Sequence, residues 1–277
     1  MELILDKSFL DAASPEEVAE IWKHHYVIMP DVLFYELITT RDDSCRRCFN
    51  KIPDIDNPIA LLPGIGDLLR YEIQHKKPCA PLANRCMTDK FRFNPRLREG
   101  SFQFLGEVRE AKEEQIKETK ADTRNFVERC LLVHHFFPEV NGIPYKEFPD
   151  AIEAGKIKVA TNKEFVRDVY ASFLEGENSP SNPPKPTEID INWAFFRWVQ
   201  CQLLSSLRLF KKLQGIMPAN ASVSFWTKAE HSMLDTYYVI FGTLAGALAS
   251  GDQEVIEDFQ LLCPQGICVT PNGHRKR

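Results

Sequence analysis

The last fifth of the chain, residues 231–264, carries the pattern that most restricts the fold. Asp235 is predicted to open an apolar helix that runs to about Leu248, and a short strand-like turn at residues 249–251 then leads to Asp252. One acid begins a helix and the other follows a strand. Both carboxylates are then expected on the same rim of an α/β sheet. In open α/β folds, ligands bind at this rim, outside the carboxyl ends of the strands.

The beginning of the chain predicts the opening of a doubly wound parallel sheet. Residues 3–5 form a short apolar run that ends at Asp6, as a buried strand does. A helix start follows at Ser14, a residue type that caps the unpaired amides of a first turn. A second apolar run, residues 26–29, leads into a helix that carries Glu36. Strand, helix, strand and helix in this order are typical of α/β proteins.

Between the two ends, residues 41–227 predict a mainly helical insertion. The sheet domain is then expected to consist of residues 1–40 and 228–277. Longer helices are predicted at residues 101–133, 162–174 and 188–214. The last of these carries an apolar stripe at helical spacing, typical of a core face or of a helix-packing surface. The stripe consists of Trp193, Phe196, Val199, Leu203 and Leu207.

Composition and charge narrow the class of protein. Hydrophobic residues make up 44% of the 277 residues and charged residues 26%, as in globular domains with a buried core. The net charge of −5 excludes the overall basic field of a nonspecific nucleic-acid binder, although an acidic metal site can itself lower the net charge. The longest apolar run, residues 237–249, is too short for a bilayer, which takes roughly 20 residues. We therefore expect no membrane span.

The start of the chain and its cysteines indicate a reducing compartment. Residues 1–9 contain neither a basic region nor a long apolar one, so we expect no signal peptide. Eight cysteines without such a signal are typical of reduced thiols in the cytoplasm. Whether some of them bind zinc or remain free thiols stays open, because six residues separate the second pair instead of two to four. The cysteines concerned are Cys45, Cys48, Cys79 and Cys86.

Four acids are predicted to converge at the carboxyl edge of the sheet: Asp6, Glu36, Asp235 and Asp252. Carboxylates gathered at one place repel one another, so either their pKa values rise or hard divalent ions bind them. Mg²⁺ and Mn²⁺ prefer such oxygen ligands, and two ions together support phosphodiester hydrolysis. The alternative is that these acids are ordinary helix caps and turn residues.

The segments that hold these acids resemble the PIN-domain family of nucleases. The resemblance is carried by LILDKSFL, YVIMPDVLFYEL, LDTYYVIFGTLAGALASGDQEVIEDF and the closing ICVTP. The family has an Asp after the first strand and a Glu in a P-x-x-x-x-x-E-L helix. A later Asp opens a helix, and Ser/Thr-x-Asp follows the fourth strand. The matching residues here are Asp6, then Pro30, Glu36 and Leu37, then Asp235, then Ser250 and Asp252.

The resemblance implies a PIN-like fold and an endoribonuclease that depends on Mg²⁺ or Mn²⁺ and cuts single-stranded or structured RNA. The four acids would be its metal ligands, and Ser8 and Ser250 would support the metal site or contact phosphate. Two alternatives stay open: a structure-specific DNA nuclease with the same acids, and a non-catalytic PIN-like scaffold that binds RNA or a protein. The insertion is unassigned, and a partner protein or a second copy of the chain could bind there.

A basic stretch at residues 85–102 is the predicted path for the nucleic acid. Its cations alternate with Phe91 and Phe93, and Phe102 follows. Cations contact phosphates and aromatic rings stack on unpaired bases. The alternative is a solvated loop whose aromatic residues anchor it to the core. The cations are Arg85, Lys90, Arg92, Arg96 and Arg98.

Overall fold

Five short strands form one all-parallel sheet in the order β3-β2-β1-β4-β5. They are β1 (Glu2–Leu5), β2 (Tyr26–Pro30), β3 (Ala60–Leu62), β4 (Ala247–Ala249) and β5 (Ile267–Val269). Four of these strands come from the two ends of the chain, which confirms the predicted α/β fold with a parallel sheet built from both ends.

The structure, a computed structural model, describes residues 1–40, 42–100, 102–140, 143–176, 180–213, 218 and 220–271. Its α-helices in these ranges are α1 (Lys7–Ala12), α2 (Pro15–His24), α3 (Asp31–Thr39), α4 (Asp42–Lys51), α5 (Ile65–His75), α6 (Pro95–Glu99), α7 (Glu107–Leu131), α8 (Phe148–Thr161), α9 (Lys163–Leu174), α10 (Ala194–Leu213), α11 (Val223–Ala245) and α12 (Gln253–Leu262). Within the described ranges, none of the helices combines the length and the apolar character that a membrane span requires.

β1 is the central strand, and its position fixes where the sheet reverses. Leu3, Ile4 and Leu5 have no exposed surface. A parallel strand that is covered on both faces needs no polar alternation, which explains the continuous apolar run. Ile4 lies beside Ile28 of β2 and Leu248 of β4. The chain winds outward through β2 and β3 on one side and through β4 and β5 on the other, so the strand order reverses between β1 and β4.

Two helix ends show how local sequence places these strands. Ser14 caps α2 as predicted: its Oγ accepts from the N–H of Glu17, and the Glu17 carboxylate accepts from the N–H of Ser14. At the end of α11, Gly246 has a φ of +77°, a conformation that residues with a Cβ rarely adopt. A Cβ on Gly242 would lie 3.2 Å from atoms of Leu248 and of Phe259. These glycines let α11 turn directly into β4 and pack closely against it.

The chain divides into two units. The first contains Met1–Gln103, Asn192–Ala194 and the chain from Tyr237 onward, and it holds the whole sheet. Fully buried Glu72 connects its segments, since Oε1 accepts from the N–H of Cys79 at 3.0 Å and from that of Ala194 at 2.7 Å.

In the second unit, Phe104–Ile191 and Phe195–Thr236, the regular elements of the described residues are all helices. Its core includes Phe196, Val199, Leu203 and Leu207 of α10, so these members of the predicted apolar stripe are core residues. The stripe's Trp193 is also buried and belongs to the first unit.

The structure differs from the predicted domain boundaries on both sides. Residues 41–103 were assigned to the insertion, but β3 pairs with β2 and the segment belongs to the sheet unit. β3 has only three residues in a proline-rich stretch, too few to show a period. Residue 228 lies within α11 in the second unit, and the sheet unit resumes at Tyr237.

Candidate functional site

Asp6 lies at the point where the strand order reverses. It follows the last residue of β1, and its N–H donates to the carbonyl oxygen of Ala249, the last residue of β4, at 3.0 Å. The side chain is only 3% exposed. The carboxyl ends of the strands at such a reversal form the usual ligand crevice of an open α/β sheet. The structure therefore places this predicted acid where a ligand site is expected.

Two serine hydroxyls and one amide surround the Asp6 carboxylate. Ser250 Oγ donates to Oδ2 at 2.5 Å, Ser8 Oγ also donates to Oδ2, and the N–H of Ser8 donates to Oδ1 at 3.0 Å. The two hydroxyl oxygens lie 3.1 Å apart. Burial raises the pKa of Asp6, these hydrogen bonds lower it, and the charge of Asp252 raises it, with a net upward shift. Both predicted serines thus hold the carboxylate directly.

Asp252 lies beside this group at the start of α12. Its Oδ1 accepts from the N–H groups of Glu254 at 2.8 Å and Val255 at 3.1 Å, so it caps α12, whereas the alternative interpretation made it a turn residue. The N–H of Asp252 donates to Ser250 Oγ at 3.0 Å. Because its charge also raises the pKa of Asp6, the two carboxylates are electrostatically coupled. A capping role and a role in the site are therefore compatible.

Glu36 is the third acid of this cluster. Burial raises its pKa to about 7, and the charge of Asp6 contributes in the same direction. Tyr238 donates from its hydroxyl to Oε2 at 2.6 Å, which favours the ionised form. Lys7 favours it as well through its charge. Tyr238 has no exposed surface, and burial together with the charges of Glu36 and Asp6 raises its own pKa well above the ordinary value. It therefore stays protonated and remains a donor.

The position of Asp235 differs from the prediction. It does not open a helix, because α11 begins twelve residues earlier, at Val223. The pattern of residues 223–234 was not recognised as helical, so the acid was mistaken for a cap. Asp235 is half-buried in the second unit, whereas the first unit contains Asp6, Glu36 and Asp252. The convergence of all four acids remains a prediction.

Two site residues were missed by sequence reasoning. Tyr238 lies one turn beyond Asp235, a spacing that indicates a shared helix face, but its partner Glu36 is 202 residues away. The second is Asp31, the first residue of α3 after the N-cap Pro30. Desolvation of its carboxylate raises the pKa of Asp31 to about 6, although the residue as a whole is exposed, and the charge of Asp67 contributes in the same direction. Asp31 thus joins Asp6 and Glu36 as an acid with a raised pKa that follows the carboxyl end of β1 or β2.

The donor set suits a hard divalent cation, and its oxygens are partly available. Tyr238 donates to Oε2 of Glu36 and the amides of α12 donate to Oδ1 of Asp252, so among the described contacts each of these two carboxylates keeps one oxygen for another ligand, whereas both oxygens of Asp6 accept hydrogen bonds. No group of three or more His, Cys, Asp or Glu among the described residues is close enough to hold a metal ion as it stands.

The four cysteines considered for zinc are among the described residues in which no metal-binding group was found. Cys48, Cys79 and Cys86 are buried, and Cys45 is half-buried. Burial raises the pKa of Cys48 to about 12 and that of Cys86 to about 11, so these groups are thiols near neutral pH. The Cys48 thiol donates to Oδ1 of Asp11 at 3.3 Å and the Cys86 thiol to the carbonyl oxygen of Leu82 at 3.5 Å.

Several residues of the basic stretch make contacts that hold the loop in place. Arg98 donates to the carbonyl oxygens of Phe49 at 2.7 Å and Pro53 at 3.0 Å. Arg92 pairs with Asp54 at 3.0 Å. Phe93 is buried, with its ring edge against Phe49 at a centroid distance of 5.2 Å. These contacts favour the interpretation of an anchored loop for this part of the stretch.

The remaining cations have different environments. The Arg85 guanidinium lies 4.0 Å from the ring centroid of Tyr71, a cation–π geometry. Lys90 is exposed, and Arg96 is exposed on α6. Lys90 and Arg96 are therefore the cations of the predicted path whose side chains remain available for phosphate.

Comparisons with known proteins add no relative: no family model, no curated protein and no solved structure matches the chain.

Proposed function

We propose that the chain is a Mg²⁺- or Mn²⁺-dependent endoribonuclease whose centre lies at the carboxyl ends of β1 and β4. The observation that carries the proposal is the position of Asp6, a buried carboxylate at the reversal of the strand order, coupled by charge to Glu36 and Asp252. Hydroxyls and an amide stabilise its ionised form. Buried acids with raised pKa values at one sheet edge are more typical of functional sites than of purely structural ones.

Asp6, Glu36 and Asp252 would bind the cation, with Asp235 as the fourth ligand in the proposal. A bound Mg²⁺ or Mn²⁺ supplies an activated water and stabilises the leaving oxygen in phosphodiester hydrolysis. The chain's own part is to orient the ligands: Ser8 and Ser250 hold Asp6, and Tyr238 holds Glu36. The segments that resemble PIN-domain nucleases contain all four acids, and this resemblance favours RNA as the substrate.

The test is cleavage of a labelled single-stranded RNA by the wild type and by Asp6→Asn, with Mn²⁺ and with excess EDTA. The variant should lose at least about a hundredfold in rate, because removing a ligand costs several kcal/mol of transition-state stabilisation. Asp168→Asn, an exposed acid on α9, is the matched control and should cleave like the wild type. Undiminished cleavage in EDTA, or by Asp6→Asn, would refute the proposal.

The same assay separates the alternatives. A branched DNA that is cut faster than RNA, with the same loss in Asp6→Asn, would identify a DNA nuclease. RNA binding without hydrolysis by the wild type in either metal would identify a non-catalytic scaffold.

A further inference from the structure

A cavity of about 290 Å³ lies at the opposite edge of the sheet from the acids. It is lined by Tyr26 and Ala60, the first residues of β2 and β3, by Trp22 of α2, and by the segment that contains Asp89 and Phe91. All of these residues belong to the first unit. The volume is close to the lower end of the range for small-ligand pockets.

Three large aromatic side chains line this cavity, and hydrogen bonds hold two of the residues that carry them. Trp22, Tyr26 and Phe91 all line it, and Tyr26 is 48% exposed. Trp22 Nε1 donates to the carbonyl oxygen of Pro58 at 2.6 Å. Asn57 and Phe91 exchange two hydrogen bonds of 2.9 Å, one through the Asn57 side chain. The Trp22 ring and the Phe91 backbone are therefore held in place before any ligand arrives, which reduces the entropy lost on binding.

The charged side chain that lines the cavity is a carboxylate. The Asp89 carboxylate lines it, and among the described residues that line it none is Lys or Arg. The Glu2 carboxylate contributes to raising the pKa of Tyr26, after burial and Cys86. His25, also in the wall, has a lowered pKa because of burial, the terminal amino group and His24, so its imidazole is neutral near pH 7.

We propose that this cavity binds a compact organic cation, of the class of a quaternary ammonium or methylated ammonium group. Aromatic faces carry a negative quadrupole that attracts such cations within about 6 Å of the ring centroid, and a carboxylate at the rim adds direct charge attraction. A phosphate or carboxylate ligand would meet Asp89 without a lining Lys or Arg to offset the repulsion. The small volume of the cavity, its aromatic side chains and its carboxylate together favour a compact organic cation over an anion.

This site is independent of the proposed nuclease centre. β2 has five residues, so about 15 Å of strand separates the cavity edge from the edge that carries the acids. Loss of metal or of Asp6 leaves Trp22, Tyr26 and Asp89 unchanged. A failure of the nuclease proposal therefore has no bearing on cation binding.

The first experiment is an NMR titration of the wild type with choline and with its neutral isostere 3,3-dimethyl-1-butanol. Choline should bind at least about tenfold more tightly and shift the amides of residues 22–27 and 87–91. Equal affinity of the two compounds would show that the cavity selects apolar bulk rather than charge, and it would overturn the proposal.

Two variants test the groups that recognise the cation. Tyr26→Leu keeps an apolar side chain but removes the ring, and Asp89→Asn removes the charge; each should weaken choline binding about fivefold or more. Asp43→Asn, an exposed acid on α4 paired with Arg46, is the matched control and should bind choline like the wild type. Unaltered affinity in both variants, with amide spectra that show an intact fold, contradicts the proposal.

A third titration identifies the source of the cation. A short peptide with one trimethyllysine that binds at least tenfold more tightly than choline assigns the site to the side chain of a protein partner. Choline that binds as tightly as the peptide, or more tightly, assigns it to a free small molecule. If neither choline nor the peptide binds at probe concentrations up to about 10 mM, the proposal is overturned.

Discussion

The hydroxyl of Tyr238 donates to Oε2 of Glu36 across 2.6 Å of space and 202 residues of sequence. One partner lies on α3 and the other on α11, two helices that flank strands from opposite ends of the chain. The tyrosine keeps its proton because its pKa is raised well above the ordinary value, while the pKa of Glu36 is about 7. The contact therefore changes from a neutral hydrogen bond to a charge-assisted one as Glu36 ionises.

Tyr238→Phe should cost more stability at pH 8 than at pH 5. With Glu36 ionised, the lost donor is worth about 1.5–3 kcal/mol, and with Glu36 protonated about 1 kcal/mol. The measurement is denaturant unfolding in EDTA at both pH values. Tyr170→Phe is the control, because its hydroxyl donates to the uncharged carbonyl oxygen of Pro184 at 3.1 Å. An equal loss at both pH values for Tyr238→Phe would argue against this account.

Glu36→Gln should stabilise the metal-free protein above neutral pH. Glu36 keeps its proton up to a pKa of about 7 when folded, whereas an ordinary glutamate loses it near 4.5. The folded state therefore binds more protons in this window, and the free energy of unfolding falls by up to about 3 kcal/mol as the pH rises through it.

In the variant this contribution is absent, so the two unfolding free energies should agree near pH 4.5 and differ most near pH 8. The slope that remains in Glu36→Gln comes from groups such as Asp31, with a pKa of about 6. Parallel curves for wild type and variant, measured in EDTA, would contradict the assigned shift.

Ser250→Ala should raise the pKa of Asp6 and destabilise the fold. The hydroxyl donates to Asp6 at 2.5 Å and accepts from the N–H of Asp252 at 3.0 Å, and it is the largest of the influences that lower the pKa of Asp6. The expected cost is about 1–3 kcal/mol near pH 8. Ser206→Ala, a buried serine that donates to its own helix at Gln202, should cost less than about 1 kcal/mol. Similar losses in both variants would show that Ser250 has no special relation to Asp6.

Arg98→Ala should destabilise the protein, whereas Arg96→Ala should not. Arg98 satisfies the carbonyl oxygens of Phe49 and Pro53, and its loss should cost about 2 kcal/mol of unfolding free energy. Arg96 is exposed, so the change there should stay within about 0.5 kcal/mol. Thermal unfolding of both variants provides the comparison, and the reverse order of stability would be incompatible with the observed contacts.

Lys90→Ala combined with Arg96→Ala should flatten the salt dependence of RNA binding. If both contact phosphates, the slope of log K against log salt should change by about 1.4 for a single strand. Metal-free protein avoids cleavage during the titration. An unchanged slope would show that neither Lys90 nor Arg96 contacts phosphate, and the RNA path would then have to be sought elsewhere.

Part of the sheet could be predicted because a strand that is buried on both faces has a continuous apolar sequence. β1 and β2 appear as short continuous apolar runs, and Asp6 and Glu36 are fixed relative to them by a few residues of sequence. Ser250 and Asp252 also follow a strand, but most of β4 was predicted as the end of the preceding helix. Local order therefore carries most of the information about this part of the site.

The rest could not be predicted because its signal is not local. β3 is too short for a period, and it is recognisable only by its pairing with Met29 and its neighbours in β2. Asp235 was read as a helix start because acids are good caps, although α11 continues through it. The role of Tyr238 depends on a contact 202 residues away, which no spacing rule reveals.

The central place of β1 also sets the order in which the chain can complete its fold during synthesis. Ser250 is made 244 residues after Asp6, roughly 10–50 s later at ordinary translation rates. Throughout that interval one edge of the central strand has no neighbour, and the Asp6 carboxylate remains hydrated. Such an edge can pair with other nascent chains, so we expect this protein to depend on chaperones until β4 inserts. The acidic centre then forms last, when the newly made carboxyl-terminal strands close around the oldest part of the polypeptide.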